Sequence, residues 1–285
     1  MTTKELETVR IVREGDGIAW VSINRPEKRN AMSPQVHRDM SAAFDELELD
    51  AETKVVVIHG EGGVFSAGQD LKDSFRGLEN DATERYLQEQ KFWKWRWERL
   101  WNFPKITIAM VDGWCVGGAF THLIGCDFAI TSEEAQYSLS EVNWGIIPGG
   151  MVSRAIVEAM GYRDGMYYCM TGERFHGRRA VELGLANFAV PAADLRPRTQ
   201  EFAKMMMAKN QAVVNATKQV YRALRRGMDF DQSLDYMAAK FVQLKATDPQ
   251  NGYRTGLSQF IDEKSYRPAH EPYPNPDQSQ AGQSV

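Results

Sequence analysis

One stretch of this chain, residues 113–150, restricts its possible folds more than any other. The apolar segment 106–111 runs into it, and the Gly117-Gly118 pair then opens a segment with helical spacing. A second short strand follows, and then a loop rich in Gly, Pro and Trp that carries the carboxylate Glu141. A glycine turn between a strand and a helix exposes backbone N–H groups that can bind a ligand oxygen. The stretch therefore predicts a ligand site at a strand end.

The preceding part of the chain alternates strand-like and helix-like segments. Residues 9–12 and 18–23 are strand-like and flank an Asp-Gly turn, which predicts a β-hairpin. Ser33-Pro34 is typical of a helix start, with serine as the N-cap and proline at the first helical position. Residues 55–58 form a short apolar strand of the kind that is buried in a parallel sheet. The alternation indicates an α/β core with a largely parallel sheet, where ligands bind at the carboxyl ends of the strands.

Four of the seven tryptophans lie between residues 86 and 101, in a run with helical spacing. This pattern favours one long helix that buries bulky aromatic side chains in the core. A second interpretation is that one of these rings lines a pocket for the ligand.

The later part of the chain becomes helical. Between residues 150 and 195 the patterns predict helices at 152–160 and 164–170, a turn at 172–177, a short helix at 180–186 and a strand at 188–190. After residue 195 they predict helices only, at 199–209, 213–226, 231–247 and 252–263. This shift predicts a core domain over 1–195, a helical region over 196–268 and a tail over 269–285. The tail is rich in Pro, Asn, Gln and Ser, a composition typical of disorder.

Composition argues against several classes of function. The net charge is −4 without a generally basic surface, so nucleic acid is not an expected partner. The three cysteines form no CxxC pair, which argues against a disulfide framework and against a metal site. The N-terminus lacks an apolar signal segment, and no apolar run reaches the roughly 20 residues of a membrane span. We therefore expect a cytoplasmic protein without membrane association.

Both glycine turns, at Gly68 and at Gly117-Gly118, follow predicted strands. Two backbone N–H groups that converge on one oxygen form an oxyanion hole, which suits a thioester carbonyl that becomes an enolate. Glu141 is then the best general base or acid, since the apolar loop around it, which includes Trp144, would raise its pKa. Simpler interpretations stay open: the glycines could serve close packing, and Glu141 could cap a helix or pair with a cation. His122 could titrate near neutral pH or could be a hydrogen-bonded core residue.

Five motifs follow one another in an order and spacing that are together highly specific. They are NRPEKRNAMS from Asn24, FSAGQDL from Phe65, KITIAMVDGWCVGGAF from Lys105, CDFAI from Cys126 and SLSEVNWGIIPGG from Ser138. On these motifs the chain resembles the crotonase superfamily of enoyl-CoA hydratases and isomerases, over about residues 18–264. Within it, RPEKRNAMSP, IAMVDGWCVGG, LSEVNWGI and YYCMTGE are most similar to the hydroxycinnamoyl-CoA hydratase-lyases.

The resemblance implies an α/β crotonase fold, a spiral of ββα turns followed by a C-terminal helical trimerisation region. It also implies a coenzyme A thioester as the substrate, no tightly bound cofactor, and a homotrimer or a dimer of trimers. An aryl-enoyl-CoA of the feruloyl or 4-coumaroyl type would be hydrated and then cleaved. The products would be acetyl-CoA and an aromatic aldehyde such as vanillin.

The matching motifs also imply roles for individual residues. The backbone N–H groups of Gln69 and Gly118 would be the oxyanion donors, and Glu141 the acid/base. Thr121 stands where ordinary hydratases have a second catalytic glutamate, which implies a mechanism with one carboxylate. The residues implied to contact the substrate are Lys28 near the nucleotide, Ala67, Leu71 and Ser140 along the thioester arm, and Trp144 in an aromatic acyl pocket.

Two positions depart from the hydratase-lyase pattern. Those enzymes hold the phenol of the substrate with two tyrosines, and this chain has Ser74 and Ala238 in their places. Tyr236 could take over one contact, although a shift of two residues changes the helix face. The departures support a second hypothesis, a hydratase or isomerase for another bulky acyl-CoA. A third hypothesis is an acyl-CoA-binding protein of this fold without catalytic activity.

Overall fold

The computed structural model describes residues 1–265. The chain divides into two compact units, of which the first is Met1–Glu201 and the second begins at Phe202. The boundary predicted near residue 195 falls inside the helix Ala192–Met207 and stays a prediction. The tail predicted over 269–285 lies outside the described residues.

Residues 1–265 contain ten β-strands and eleven α-helices. The strands are β1 (Thr2–Glu5), β2 (Val9–Arg13), β3 (Ile18–Ile23), β4 (Val55–Gly60), β5 (Ile106–Val111), β6 (Trp114–Val116), β7 (Phe128–Ser132), β8 (Gln136–Ser138), β9 (Arg174–His176) and β10 (Phe188–Val190). The helices are α1 (Pro34–Leu49), α2 (Ala82–Leu87), α3 (Glu98–Asn102), α4 (Ala119–Gly125), α5 (Val152–Ala159), α6 (Tyr162–Thr171), α7 (Gly177–Glu182), α8 (Ala192–Met207), α9 (Gln211–Arg225), α10 (Phe230–Thr247) and α11 (Gly252–Leu257).

A seven-stranded sheet runs through the first unit in the order β1-β2-β3-β4-β5-β7-β10. The first three strands are antiparallel, and every pairing from β3 to β10 is parallel. The predicted hairpin is confirmed by the pairing of β2 with β3, in which Val12 lies opposite Trp20. Residues 55–58 lie in β4 between β3 and β5 and are buried, as their apolar run predicts. The predicted α/β class with a largely parallel sheet is therefore confirmed.

Helix α1 packs against β2 and β3 through one apolar face. It begins as predicted, because the Ser33 side chain accepts a hydrogen bond from Val36 N and Pro34 occupies the first turn. The buried face recurs every three or four residues and consists of Val36, Met40, Ala43, Phe44 and Leu47. Full burial of one large apolar side chain contributes about 1.5–3 kcal/mol, so this face holds the helix on the sheet.

A second, three-stranded sheet has the order β6-β8-β9. Strands β6 and β8 are parallel, with Val116 opposite Ser138, and β9 is antiparallel to β8. The turn predicted at 172–177 is therefore wrong in part, since it contains β9. Three residues are too few to show a strand pattern in sequence, and β9 forms because β8 offers it a partner.

The tryptophan-rich run is not the single helix that its spacing predicts. Helix α2 gives way to a π turn at Gln88–Phe92 and a 3₁₀ turn at Trp93–Arg96, and α3 follows. Trp97 interrupts the run with φ −131° and ψ −69°. The reason is a close approach to α4, since a Cβ on Gly125 would lie 2.5 Å from the carbonyl oxygen of Arg96. The prediction that this run buries aromatic rings is correct for Trp95 and Trp101.

The second unit is helical, as predicted. Asp229 and Gln232 form a reciprocal capping box at the start of α10. Asn210 caps α9, and its Nδ2 also donates to Asp248 Oδ2 at 2.9 Å. The helix predicted over 252–263 divides into α11 and a π turn at Ser258–Asp262. Within residues 1–265, none of the helices combines the length and the apolar character that a bilayer crossing requires.

Candidate active site

The turn at Gly68 is fixed by backbone hydrogen bonds to a neighbouring loop. Met32 N donates to Gly68 O at 2.8 Å, and Asp70 N donates to Met32 O at 3.0 Å. Met32 and Gln69 consequently form a parallel bridge. Gly68 has a φ of +86°, and a Cβ at this position would lie 2.5 Å from Val116 O. Both the conformation and the close approach require glycine, and together they fix the backbone of Gln69.

The second turn, at Gly117-Gly118, connects β6 to α4. Gly117 has a φ of +53°, and its N–H donates to Ser138 O at 3.0 Å, which extends the pairing of β6 with β8. Gly118 is the N-cap of α4, and its carbonyl accepts a hydrogen bond from Thr121 N at 3.2 Å. The start of α4 is therefore held directly beside the small sheet.

The two turns bring the backbone nitrogens of Gln69 and Gly118 close together. A Cβ on Gly118 would lie 3.3 Å from Gln69 N, and a Cβ on Gly68 would lie 3.0 Å from Gly118 N. Neither N–H has an acceptor within the part of the chain that the structure describes. Two adjacent donors without acceptors are the arrangement that an oxyanion hole requires. This geometry supports the predicted pair of donors.

The side-chain amide of Gln69 has four polar neighbours. Its Oε1 accepts from Arg96 Nη1 at 3.2 Å and lies 3.3 Å from His37 Nε2. Its Nε2 donates to Met32 O at 2.9 Å and to Ser74 Oγ at 2.6 Å. These contacts fix the amide in one orientation and further limit the movement of the Gln69 backbone.

Glu141 lies beside the second turn, in the first turn of the 3₁₀ segment Ser140–Trp144. The pairing of β6 with β8 carries it there, and a Cβ on Gly117 would lie 3.1 Å from Glu141 Oε1. Oε2 is buried and has no hydrogen-bond partner among residues 1–265. Burial raises the pKa of this carboxyl above its ordinary value of 4.5. A desolvated carboxylate of this kind is suited to proton transfer.

The cause of this burial differs from the predicted one. The loop side chains expected to desolvate Glu141 are themselves exposed, and Trp144 is 65% and Ile147 79% accessible. Helix α6 packs instead against the segment that carries Glu141. Burial, and next the charge of Glu141, raises the pKa of the Cys169 thiol on this helix. The direction predicted for the pKa of Glu141 is confirmed, but the apolar loop does not cover the carboxyl.

Two further predictions about this region are resolved by its hydrogen bonds. Within residues 1–265, the Glu141 side chain caps no helix and has no cationic partner. His122 is fully buried, and neither ring nitrogen has a partner in the described chain. Burial, and next the charge of Arg96, lowers the pKa of His122 to about 3. It is a neutral core ring stacked on Phe65, with 4.8 Å between ring centroids, so the core interpretation is correct and titration near neutral pH is wrong.

The residues predicted to bind coenzyme A lie on neighbouring loops. Ala67 N donates to Arg29 O at 2.9 Å, which places the Ala67 turn beside the loop of Lys28. Lys28 is exposed, Leu71 is 42% accessible, and Ser140 is half-buried next to Glu141. The contacts of these residues with coenzyme A stay predictions.

The other predicted substrate positions differ in their surroundings. Ser74 is buried, and besides accepting from Gln69 its hydroxyl donates to Met32 O at 3.3 Å. Thr121 is 1% accessible, and its hydroxyl has no partner within residues 1–265. Tyr236 lies on α10 of the second unit, with Lys240 Nζ 5.7 Å from its ring centre. Their contacts with an acyl group stay predictions.

Sequence reasoning missed that Arg96 and His37 contact the Gln69 side chain and that Trp95 donates to His37. One signal was available, because Arg96 stands between two tryptophans in a run predicted to be buried. A charged side chain is seldom buried without a specific reason. His37 showed no signal, since it lies within an amphipathic helix and belongs to no motif.

The profile of the Enoyl-CoA hydratase/isomerase family matches residues 13–268. This chain belongs to the enoyl-CoA hydratase/isomerase family, the crotonases. The predicted resemblance is confirmed, and the protein is an enzyme of this family. A coenzyme A thioester as the substrate fits the family.

Individual relatives agree with this assignment. A hydroxycinnamoyl-CoA hydratase-lyase from Pseudomonas fluorescens is 44% identical over 270 residues, which is 94% of this chain and 96% of the relative. A short-chain-enoyl-CoA hydratase from Clostridium acetobutylicum is 27% identical over 263 residues, 91% of this chain and 97% of the relative. The crystal structure of an enoyl-CoA hydratase from Polaromonas sp. JS666 superposes with a TM-score of 0.79 at 25% identity, covering 90% of this chain and 97% of that one. The predicted crotonase fold is therefore confirmed.

Proposed function

We propose that this crotonase is an aryl-enoyl-CoA hydratase-lyase, which converts a feruloyl- or 4-coumaroyl-type thioester and water into an aromatic aldehyde and acetyl-CoA. The observation that carries the proposal is the desolvated carboxylate of Glu141 beside the backbone donors of Gln69 and Gly118. Thr121, in place of the second glutamate of ordinary hydratases, supports a mechanism with one carboxylate. The 44% identity with a hydroxycinnamoyl-CoA hydratase-lyase supports the same reaction class.

The first stage is the addition of water. The thioester oxygen accepts hydrogen bonds from the N–H groups of Gln69 and Gly118, which polarise the conjugated carbonyl. Glu141 takes a proton from water while the water oxygen adds to Cβ, and the electron pair of the Cα–Cβ double bond moves to form an enolate. The protonated Glu141 then gives its proton to Cα. This yields a β-hydroxyacyl-CoA and restores the carboxylate.

The second stage is carbon–carbon cleavage. Glu141 takes the proton of the β-hydroxyl, the aldehyde carbonyl forms, and the Cα–Cβ bond breaks. The electron pair of that bond becomes the enolate of acetyl-CoA, which the same two donors stabilise. Glu141 returns the proton to Cα and acetyl-CoA is complete. One carboxylate thus serves both stages, and its raised pKa brings it nearer to the working pH of a general base.

The substrate would extend between the two turns. Lys28 would bind the nucleotide phosphates, and Ala67, Leu71 and Ser140 would line the thioester arm. The ring of Trp144 is free to contact an aromatic acyl group, since it is 65% accessible. Ser74 does not supply a phenol contact, because its hydroxyl already has two partners.

The proposal is tested by product analysis. Purified protein incubated with feruloyl-CoA should release vanillin and acetyl-CoA in equal amounts, measured by liquid chromatography, and E141Q should release neither. Crotonyl-CoA serves as the comparison substrate. If crotonyl-CoA is hydrated while feruloyl-CoA gives no aldehyde, the lyase proposal is wrong.

A second candidate function is a hydratase or isomerase for another bulky acyl-CoA. The observation that favours it is the engaged hydroxyl of Ser74 at a position where hydratase-lyases use a phenol-binding tyrosine. This candidate predicts hydration or double-bond migration without release of an aldehyde. The non-catalytic alternative predicts that E141Q leaves the turnover of every tested thioester unchanged.

We further propose a homotrimer or a dimer of trimers as the working assembly. Helix α10 supports association of some kind, since it exposes several large apolar side chains, namely Phe230, Leu234, Met237, Phe241 and Val242. Light scattering coupled to size-exclusion chromatography would give the mass in solution. A monomer at micromolar concentration would contradict this proposal.

A further inference from the structure

A buried arginine without an ion-pair partner lies beside the two backbone donors. Arg96 is 4% accessible, and it forms no salt bridge within residues 1–265. Its Nη1 donates to Gln69 Oε1 at 3.2 Å and its Nε to the Trp93 carbonyl at 3.5 Å. The guanidinium also lies 5.1 Å from the centre of the Trp93 ring. All of these partners are neutral, so the positive charge of Arg96 has no counter-charge, an arrangement that costs stability.

The guanidinium is close to the reacting end of the site. A Cβ on Gly118 would lie 3.6 Å from Arg96 Nη1 and 3.3 Å from Gln69 N. On the other side, a Cβ on Gly150 would lie 3.9 Å from Arg96 Nη2. Burial lowers the pKa of Arg96 to about 10, and the group therefore stays protonated at neutral pH. A full positive charge thus lies within a few ångströms of both predicted oxyanion donors, where a low local dielectric strengthens its effect.

A chain of hydrogen bonds orients Gln69 towards this charge. Trp95 Nε1 donates to His37 Nδ1 at 3.0 Å, which places the proton of a neutral His37 ring on Nε2. Burial, and next the charge of Arg96, holds the pKa of His37 well below its ordinary value of 6.5, so the ring is neutral. His37 Nε2 then donates to Gln69 Oε1 at 3.3 Å, beside the bond from Arg96, and it also lies 3.1 Å from Gln69 Nε2. The carbonyl end of the Gln69 amide is consequently fixed on the side of the cation.

We propose that Arg96 is a positioning residue of this crotonase, which fixes Gln69 through its side chain and supplies an uncompensated positive charge behind the oxyanion hole. The charge stabilises the enolate of the acyl-CoA, because that enolate carries the negative charge that the chain itself does not provide near Arg96. The inference rests on the proposed function, since it takes the backbone N–H groups of Gln69 and Gly118 as the donors. The thioester ground state has no net charge on its oxygen, so the effect acts mainly on the transition state.

Three substitutions separate the contributions of charge and hydrogen bonding. R96K keeps the charge, R96Q keeps an amide donor without the charge, and R96M removes both. With feruloyl-CoA, or whichever thioester the wild type turns over, we expect R96Q and R96M to lower kcat about 10- to 100-fold with KM changed less than about threefold. R96K should retain more of kcat than R96Q.

Arg99 provides the matched control. It lies on α3 and forms surface ion pairs with Asp45 and Glu48, so R99Q should leave kcat and KM near those of the wild type. If the wild type turns over no thioester, the proposed function fails. If the wild type is active and a folded R96Q keeps kcat within twofold, the role of Arg96 is wrong. A rise in KM with unchanged kcat would also overturn it, because Arg96 would then bind the ground state of the substrate.

Stability distinguishes this role from a merely structural one. Removal of an unpaired buried charge should not destabilise the fold, so R96M is expected to unfold at the same temperature as the wild type or higher while it loses activity. A structural role predicts that stability and activity fall together, and that result would contradict the proposal.

A binding measurement that needs no turnover tests the proposal even when a variant is inactive for other reasons. The absorption maximum of bound cinnamoyl-CoA reports how strongly the site polarises the thioester carbonyl. We expect a red shift on binding to the wild type, a smaller one with R96Q, and an intermediate one with W95F, which removes the donor to His37. Equal red shifts in all three proteins would overturn the proposal.

Discussion

The two sides of the site are held in different ways. On one side, Gln69 is fixed by a parallel bridge, by a turn that requires glycine, and by four polar neighbours of its side chain. On the other side, Glu141 has a buried oxygen without a partner and is followed by a loop whose apolar side chains face solvent. Contacts within the chain hold the side of Gln69, which is the fixed side of the site. On the side of Glu141, which is the open side, the buried carboxylate oxygen and the exposed apolar side chains are available to a ligand.

This difference indicates a division of labour. Stabilisation of an enolate requires donors at fixed positions, since the benefit of preorganised groups is lost if they must first reorient. Proton transfer requires a carboxylate with no competing partner, and recognition of an acyl group requires free apolar surface. The fixed side therefore suits the stabilisation of an enolate in the proposed reaction, and the open side suits the selection of one substrate.

The largest expected effect comes from Glu141, on the open side. E141Q keeps the size of the side chain but cannot accept a proton, so kcat should fall about 10²–10⁴-fold with any thioester that the wild type turns over. Steady-state kinetics would measure this loss. E52Q, at an exposed position, is the control and should be unaffected. If E141Q keeps the kcat of the wild type, Glu141 is not the general acid or base.

A smaller effect is expected when an added methyl group crowds the backbone donors of Gly118 and Gln69. Gly118 has an ordinary φ of −53°, but a Cβ there would lie 3.3 Å from both Gln69 N and Met32 Cε. G118A should therefore disturb one donor and lower kcat about 100-fold. G161A has no atom within 4 Å of the added methyl and provides the matched control. Equal kcat values for the two variants would show that the donors tolerate displacement.

Substrate selection by the open loop should show in KM. W144A removes an exposed ring whose proposed contact with an aryl group would contribute about 0.5–1.5 kcal/mol, so KM for feruloyl-CoA should rise about 3- to 10-fold. The KM for crotonyl-CoA should change little. Y162A, another exposed aromatic position, is the control. A parallel rise for both substrates would exclude aryl recognition by Trp144.

The smallest expected effect concerns stability. Burial raises the pKa of Glu141, so the fold favours the protonated acid. That stabilisation is present below the ordinary value of 4.5 and is lost as the pH rises through the raised pKa. E141Q stays neutral, so it should unfold at a higher temperature than the wild type at pH 7 and at the same temperature as the wild type near pH 4. Thermal unfolding of E141Q, the wild type and the control E52Q would be measured at several pH values. If the unfolding temperatures of E141Q and the wild type differ by the same amount at every pH, the prediction is wrong.

Sequence patterns predicted those parts of the fold that depend on a few consecutive residues. The cap at Ser33, the apolar run 55–58 and the glycine turns are all readable, because helix starts, buried strands and positive φ angles select residue types. The spacing of the motifs placed Glu141 and the two turns together. The solvent exposure of the loop side chains after Glu141 does not follow from such patterns, because this loop has no regular period.

The missed features depend on tertiary approach. The tryptophan-rich run breaks because Gly125 allows α4 to reach the Arg96 carbonyl, an event that no spacing in the run itself records. The sequence left open whether His122 titrates, and burial, and next the charge of Arg96, makes it a neutral core ring. The lack of an ion-pair partner for Arg96 could not be read from its neighbours in sequence, since its surroundings come from segments far apart in the chain.

The order of the large sheet has a consequence for how the chain is made. From β3 onwards, each strand of this sheet joins the edge formed by the strand before it, and the parallel series runs β3, β4, β5, β7 and β10. A polypeptide leaving the ribosome can therefore add these strands in the order of synthesis, starting from the N-terminal hairpin. Segments that carry Gln69, Gly118 and Glu141 are all synthesised before β10 joins. The last strand thus joins the large sheet after the two backbone donors and the carboxylate have all been synthesised.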